Sequence, residues 1–395
     1  MVRVTQLLLC CIWLLFLDGC REAFDVEVPA GSSLLVVNGM ITDQPGPYVI
    51  KLSRSAGLKS FDFPAESAAV VTLESQSGDS EMLKEEEAGY YMTAEGGLQG
   101  QVGEQYRLTI VTKDEITYES DWKLLKESPA IDSVYFEYKE QDIQDGVLQG
   151  LQTFVDTHDP NGKTEYYRFE WTETWAYNAD LPAMFTYLGN DNRISFPPKK
   201  HCWSSQQSLD ISIASSLQNA TDIISRHPIL FVTTETPRLR VGYSLLVKQY
   251  AMDQEEYLFW KTLKETANES GTLFDKQPQS ITGNLHRVNS DEPVLGYFSA
   301  STISEKRLFV QRSDLPENTV VDATLSQNCF DSQIFIEKSS SSELEISQAL
   351  NRGEIFFDWV VVPGIGITGY IFTTPICSDC TVQGGVTDKP DYWPI

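Results

Sequence analysis

The sequence has few histidines and none of the short motifs that carry common enzymatic chemistry. Its 395 residues contain only four histidines: His158, His201, His227 and His286. There is no Gly-x-Ser-x-Gly motif, phosphate-binding loop, His-Glu-x-x-His motif or dinucleotide fingerprint. Because a nucleophile needs a base beside it, such scattered histidines make nucleophilic catalysis hard to assemble. We therefore expect a nonenzymatic protein that uses no cofactor.

Basic residues are also scarce. The chain has 30 Lys and Arg against 56 Asp and Glu, which gives a formal net charge of -26 at pH 7. This excess of negative charge repels nucleic acid and anionic lipid head groups, so no nucleic-acid partner is expected. The charges are spread along the chain, which favours a solvated surface over a dedicated binding tract.

Carboxylates are plentiful, so one enzymatic alternative stays open: a hydrolase of glycans or peptides that works with two acids. Glu170 and Glu173 fall on opposite faces of one predicted strand, and this pair therefore cannot flank a single glycosidic bond. A hydrolase would need other acids that converge in a cleft.

An apolar run at residues 7–17 is too short to span a bilayer, which takes about 20 residues. It follows Arg3 and leads to Gly19 and Cys20, an order typical of a bacterial lipoprotein signal. We predict that residues 1–19 are a signal peptide and that Cys20 carries acyl chains such as palmitate. Residues 20–33 would then be a lipidated tether with a reach of about 20 Å. An ordinary cleaved signal with Cys20 as an incidental thiol is the alternative.

Four cysteines remain for the folded chain: Cys202, Cys329, Cys377 and Cys380. An even number in an oxidising compartment predicts two disulfides, and the sequence leaves three pairings open. The C-x-x-C spacing of the last two also fits a redox motif or, with His201 and Cys202, a zinc site. The neighbouring Pro375 does not supply the strand-to-helix setting of a redox motif, so disulfides are the favoured interpretation.

One loop has oxygen ligands at a spacing that suits calcium. Asp156, Asp159 and Asn161 carry these oxygens, but the loop departs from the EF-hand pattern. Residues 159–162 read Asp-Pro-Asn-Gly, which is above all a turn sequence. We expect a structural turn and no metal.

The pattern of short apolar alternations and turn residues predicts a mainly β protein. About seven short strands within residues 34–125 indicate a β-sandwich domain. Residues 126–395 predict a larger β-rich domain with one or two helices. The clearest helix signal is the acidic start at residues 253–256, which predicts a helix near 253–267.

A long aromatic strand is predicted at residues 166–175. One face carries an acid among four aromatic side chains: Tyr167, Phe169, Trp171, Glu173 and Trp175. Such an acid either bonds a partner or lies at the wet end of the strand. The aromatic residues of the chain offer a platform for a carbohydrate or peptide, although core packing accounts for most of them.

Several stretches together resemble the Bacteroidetes lipoprotein family known as domain of unknown function 4249. Besides the Cys20 signal they are VVNGMITD (36–43), GPYVIKLS (46–53), YYRFEWTETW (166–175), GN (283–284), LGYF (295–298), CSDC (377–380), GG (384–385) and KPDYW (389–393). The first domain also resembles immunoglobulin-like and transthyretin-like modules, a likeness of fold that fixes no function.

The resemblance implies an outer-membrane lipoprotein, lipid-anchored at the cell surface, whose gene neighbours a TonB-dependent receptor. Its implied role is an accessory, a capture or lid subunit for uptake of an unknown ligand through the receptor barrel. No catalytic residue is implied. A cell-surface adhesion or structural lipoprotein is the alternative from another class.

Overall fold

The computed structural model describes residues 33–56, 63–143, 146–219, 221–268, 281, 283–321 and 328–394. The predicted signal peptide, the lipidation site Cys20 and nearly all of the tether lie outside the described residues. The described chain is mainly β, with several antiparallel sheets and few helices, which confirms the predicted class. Within it, no helix is both long and apolar enough to cross a membrane.

The N-terminal body consists of two sheets. Its strands are β1 (Leu35–Ile41), β2 (Val49–Arg54), β3 (Val70–Ser75), β4 (Ser80–Met82), β5 (Lys84–Glu87), β6 (Tyr90–Met92), β7 (Gln105–Val111), β8 (Thr117–Ser120), β9 (Lys123–Leu124), β19 (Leu285–Arg287) and β20 (Leu295–Ala300). One sheet has the order β20-β1-β2-β6-β5, and the other has β19-β8-β7-β3-β4 with β9 beside β7.

Alternation of apolar and polar residues creates the core of this body. In β2, Ile50 and Leu52 are buried while Val49 and Lys51 face outward, as the two-residue period of a strand requires. Leu73 and Ile110 from the other sheet join the same hydrophobic cluster. The two sheets therefore pack face to face around a single core.

Two of these strands, β19 and β20, come from a distant part of the sequence, within the residues predicted to form the larger domain. Strand β20 lies parallel to β1, with Val37 opposite Gly296. The side-chain amide of Asn284 bonds both backbone groups of Phe298, at 2.8 and 2.9 Å. The N-terminal body is thus completed only after the chain has passed through the next body.

The central body is a second pair of sheets with a helix. Its elements are β10 (Ile131–Ile143), β11 (Gly146–His158), β12 (Tyr166–Asn178), β15 (His201–Gln207), β16 (Ser212–Ser215), β17 (Ile223–Thr233), β18 (Gly242–Met252), β21 (Ser304–Gln311) and helix α1 (Gln254–Asn268). One sheet has the order β10-β11-β17. The other has β15-β12-β18-β21, and β16 also pairs with β12.

The aromatic strand β12 supplies much of the central core. Tyr167, Phe169 and Trp171 are buried on one of its faces and pack with Leu245 of β18 and Val155 of β11. The edges of the two sheets meet where the amide of Ile131 donates to Ser304 Oγ at 3.1 Å. This contact brings β10 beside β21 at one end of the body.

The C-terminal body is the smallest. It contains the hairpin β13 (Phe185–Gly189) and β14 (Asn192–Ser195), the sheet of β22 (Ile334–Glu337), β23 (Ile355–Val362) and β24 (Gly366–Thr373), and helices α2 (Ser342–Asn351) and α3 (Pro375–Ser378). Tyr187 of the hairpin, Ile346 of α2 and Phe372 of β24 share its core.

Gly296 is a position that only glycine can occupy without displacing the backbone. Its φ is +95°, and a Cβ built there would lie 1.8 Å from the carbonyl oxygen of Val37. We expect Gly296→Ala to lower the free energy of unfolding by more than about 3 kcal/mol, because β20 must leave β1. The shift of the urea midpoint measures this loss.

Gly364→Ala is the matched control, since its φ is +81° but nothing lies within 4 Å of its Cβ position. It should cost only about 1 kcal/mol, the strain of a left-handed backbone alone. Equal losses in the two variants would contradict the proposed role of the close approach between Gly296 and Val37.

Candidate functional site

The N-terminal and central bodies meet at a buried polar cluster, here called the joint network, formed by Lys123, Asp253, Glu256, Tyr297 and Ser299. Lys123 is only 5% exposed, and its ammonium pairs with Asp253 and donates to the hydroxyl of Tyr297 at 2.8 Å. A buried cation is tolerated only when it is paired and hydrogen-bonded in this way.

Asp253 and Glu256 place the start of helix α1 at this joint. Asp253 precedes the helix, and its Oδ1 accepts the backbone N–H of Glu256 at 2.8 Å. Although burial opposes the shift, hydrogen bonds from Lys123 and from that amide lower the pKa of Asp253. The helix occupies the segment whose acidic start predicted one.

Glu256 is the most deeply buried acid of the joint network. Its Oε1 accepts the hydroxyl of Ser299 at 2.6 Å and the indole N–H of Trp260 at 3.3 Å. Burial raises the pKa of Glu256, and the nearby charge of Arg168 opposes that rise only in part. The carboxyl thus accepts hydrogen bonds from two neutral donors, while its burial penalises the charged form.

Arg168 lies above this network, on the face of β12 opposite the aromatic core. The strand register places it directly across from Tyr250. Its guanidinium carbon lies 4.7 Å from the ring centre of Tyr250 and 4.6 Å from that of Trp260. Nη1 donates to Glu170 at 2.8 Å, whereas Nε is buried and has no hydrogen-bond partner within the described part of the chain.

A cleft of about 470 Å³ opens between the two bodies at this point. Asn38, Met40, Val49, Lys51 and Tyr90 line it from the N-terminal body. The central body contributes Arg168, Glu170, Tyr250, Trp260 and the loop 208–212. The cleft therefore combines apolar, aromatic and charged side chains, as small-molecule sites commonly do.

The structure settles the cysteine pairing that the sequence left open. Cys202 of β15 is bonded to Cys380, and Cys329 is bonded to Cys377. Two disulfides were predicted and are confirmed. Cys377 and Cys380 are joined to different partners, so neither a C-x-x-C redox pair nor thiolates for zinc are present.

The calcium candidates form hydrogen bonds within a turn. The carboxylate of Asp159 accepts backbone N–H groups of Asn161, Lys163 and Thr164 at 2.8 to 3.0 Å. These bonds lower the pKa of Asp159 even though burial opposes them. Asp156 accepts the hydroxyl of Ser133 at 3.0 Å and the amide of Arg226 at 2.6 Å.

Across the residues that the structure describes, no group of three or more His, Cys, Asp or Glu side chains is arranged to hold a metal ion.

Glu173, the acid predicted on the aromatic face, bonds partners inside the protein. Arg238 Nη1 donates to its Oε1 at 3.1 Å, and the hydroxyl of Tyr243 donates at 2.9 Å. Burial raises the pKa of Glu173 although Arg238 opposes the shift. Glu170 lies on the opposite face, so the two acids do not meet, as the strand period predicts.

The sequence model of one protein family, described as Domain of unknown function (DUF4249), matches residues 21–307. The chain belongs to this family. The matched residues include the joint network and every residue that lines the cleft. Of the C-terminal body they include the hairpin of β13 and β14, but they end before β22. No curated protein matches the sequence.

The sequence alone does not predict the cleft. Arg168 and Glu170 lie on the polar side of the predicted aromatic strand, and Glu256 belongs to the predicted helix start. Lys51 was one outward position of β2. No spacing along the chain joins these residues, because they converge through the docking of β1, β2, β12 and α1.

Glu256→Gln tests the raised pKa of this buried acid. In the folded chain Glu256 holds its proton more tightly than in the unfolded chain. The contribution of Glu256 to the free energy of unfolding is therefore complete below its ordinary pKa of 4.5. This contribution is lost as pH rises through the pKa of the folded chain. We expect the free energy of unfolding of the variant to rise relative to that of the wild type as pH increases above 4.5, measured by urea unfolding at a series of pH values.

Glu265→Gln on an exposed position of the same helix is the control and should show a constant difference. If the free energies of unfolding of Glu256→Gln and the wild type also differed by the same amount at every pH, burial would not penalise the charge of Glu256.

Proposed function

We propose that this protein is a lipid-anchored, nonenzymatic accessory at the outer membrane that captures a ligand, or closes over one, for a TonB-dependent receptor. The observation that carries the proposal is the cleft between the N-terminal and central bodies. Its volume of about 470 Å³ suits a small ligand, and its walls come from two separate bodies. Sites built between bodies are well suited to capture because a small relative movement can open or close them.

The anchoring part of the proposal rests on the sequence. The apolar run and Cys20 have the order of a lipoprotein signal. Lipid at Cys20 would hold an acidic body at the outer membrane and on the cell surface. The family resemblance implies a TonB-dependent receptor as the partner.

We assign the N-terminal body the role of an immunoglobulin-like or transthyretin-like docking module. Its two sheets around one core support this assignment. Fold likeness by itself fixes no partner, so the assignment depends on the receptor experiment.

The experiment is a pull-down of tagged protein from membranes dissolved in mild detergent. We expect a TonB-dependent barrel to co-purify with the wild type, and Cys20→Ala to lose both membrane fractionation and palmitate labelling. Any barrel that Cys20→Ala still recovers binds the protein without the lipid anchor. Recovery of no barrel would contradict the accessory role.

A deletion strain separates this role from surface adhesion. The accessory role predicts a defect in uptake of a nutrient, measured as growth on single carbon sources. Loss of surface attachment with normal uptake would support an adhesion or structural lipoprotein instead.

A carboxylate hydrolase is a second candidate because two acids, Glu170 and Asp210, line the same cleft. Glu170 accepts hydrogen bonds from Arg168 and Tyr250 at 2.8 and 2.9 Å, so each of its two oxygens already has a partner inside the protein. We therefore expect no hydrolysis of glycan or peptide libraries. Turnover that is lost in both Glu170→Gln and Asp210→Asn would overturn the nonenzymatic assignment.

A further inference from the structure

Two cations face the cleft from opposite walls. Lys51 lies on β2, where buried Ile50 and Leu52 on either side force its side chain outward. Its Nζ lies 5.2 Å from the ring centre of Tyr90 and forms no ion pair with any described residue. An ammonium in this setting has donors available for an anionic group.

Arg168, on the other wall, is a cation held in a fixed orientation with one donor unmatched. The residue is 7% exposed, and two aromatic rings stack on its guanidinium. Glu170 engages Nη1, but Nε has no partner in the described chain. Among the donors of the guanidinium, Nη1 is the one bonded to another described side chain, so an oxygen acceptor in the cleft has further N–H groups to bind. The fork of a guanidinium matches a carboxylate in particular.

Apolar side chains lie beside these cations. Val49 is 43% exposed and Leu209 is 91% exposed, and both line the cleft together with Met40. Covering such surfaces stabilises a complex because it removes apolar area from water. The lining thus suits a ligand whose body is apolar.

The electrostatic balance of the cleft differs from that of the whole chain. Its lining contains Lys51 and Arg168 against Glu170 and Asp210, whereas the chain carries a net charge of -26. An anion approaching the cleft therefore meets less repulsion here than over the acidic chain as a whole.

We propose that the cleft binds a small carboxylate with an apolar body, its carboxylate held between Lys51 and Arg168 and its body against Met40, Val49 and Leu209. This inference names the ligand class of the proposed capture role and rests on it.

The test uses two probes of equal size that differ in charge, 1-naphthylacetate and 1-naphthylacetamide. Isothermal titration of the full-length protein in detergent, corrected by a detergent blank, measures both affinities. We expect the acid to bind about tenfold tighter than the amide, the effect of a charge-assisted hydrogen bond. Equal affinities, or no binding of the acid, would overturn the proposal.

Lys51→Met is the main variant because an exposed strand position tolerates the change. It should reduce the preference for the acid to about twofold or less. Lys84→Met is the matched control: Lys84 lies on β5 of the same sheet, pairs with Glu86 and does not line the cleft. It should keep the full preference. An unchanged preference in Lys51→Met would exclude this lysine from the site.

Arg168→Lys keeps the charge but removes the fork and should also weaken binding of the acid. Circular dichroism at the same temperature shows whether this variant is folded, and Lys51→Met decides the outcome if it is not.

The titration uses isolated protein, so its result is independent of receptor binding. A barrel that co-purifies while both probes bind equally would leave the accessory role intact and remove the ligand class. A clear preference for the acid without any barrel partner would support the ligand class and contradict the accessory role.

Discussion

Burial of charge at the joint between two β bodies is the constraint on which the rest of the structure depends. Lys123 and Asp253 come from different bodies, and the buried ammonium of Lys123 would be costly without this partner. Their pairing fixes the start of helix α1, which in turn places Glu256 against Ser299 and Trp260 against Arg168. The positions of Arg168, Trp260 and Ser299 in the cleft therefore depend on how the two bodies are joined.

The path of the chain strengthens this joint. It leaves the N-terminal body after β9, builds most of the central body, returns to add β19 and β20, and then resumes the central body at β21. The bodies are thus linked by three chain crossings, and Gly296 allows β20 to lie close against β1. Such interleaving limits the relative movement of the two cleft walls to small amplitudes.

Parts of this architecture were predictable because they depend on neighbours in sequence. The alternation in β12 placed Glu170 and Glu173 on opposite faces, and the structure gives them separate partners, Arg168 and Arg238. The even cysteine count predicted two disulfides. Which cysteines pair was not predictable, because Cys202 and Cys380 are 178 residues apart and loop closure over that distance leaves no local signal.

By itself, the sequence determined the mainly β class, the disulfide count and the family, since periodicity, composition and motifs are local properties of the chain. Only the tertiary structure decided that β19 and β20 complete the first body and that Lys51 and Arg168, from different bodies, line one cleft. Contacts between distant residues depend on how sheets dock and on which buried charges find partners. The energies of these contacts arise between segments that are far apart in the sequence, so no local pattern reveals them.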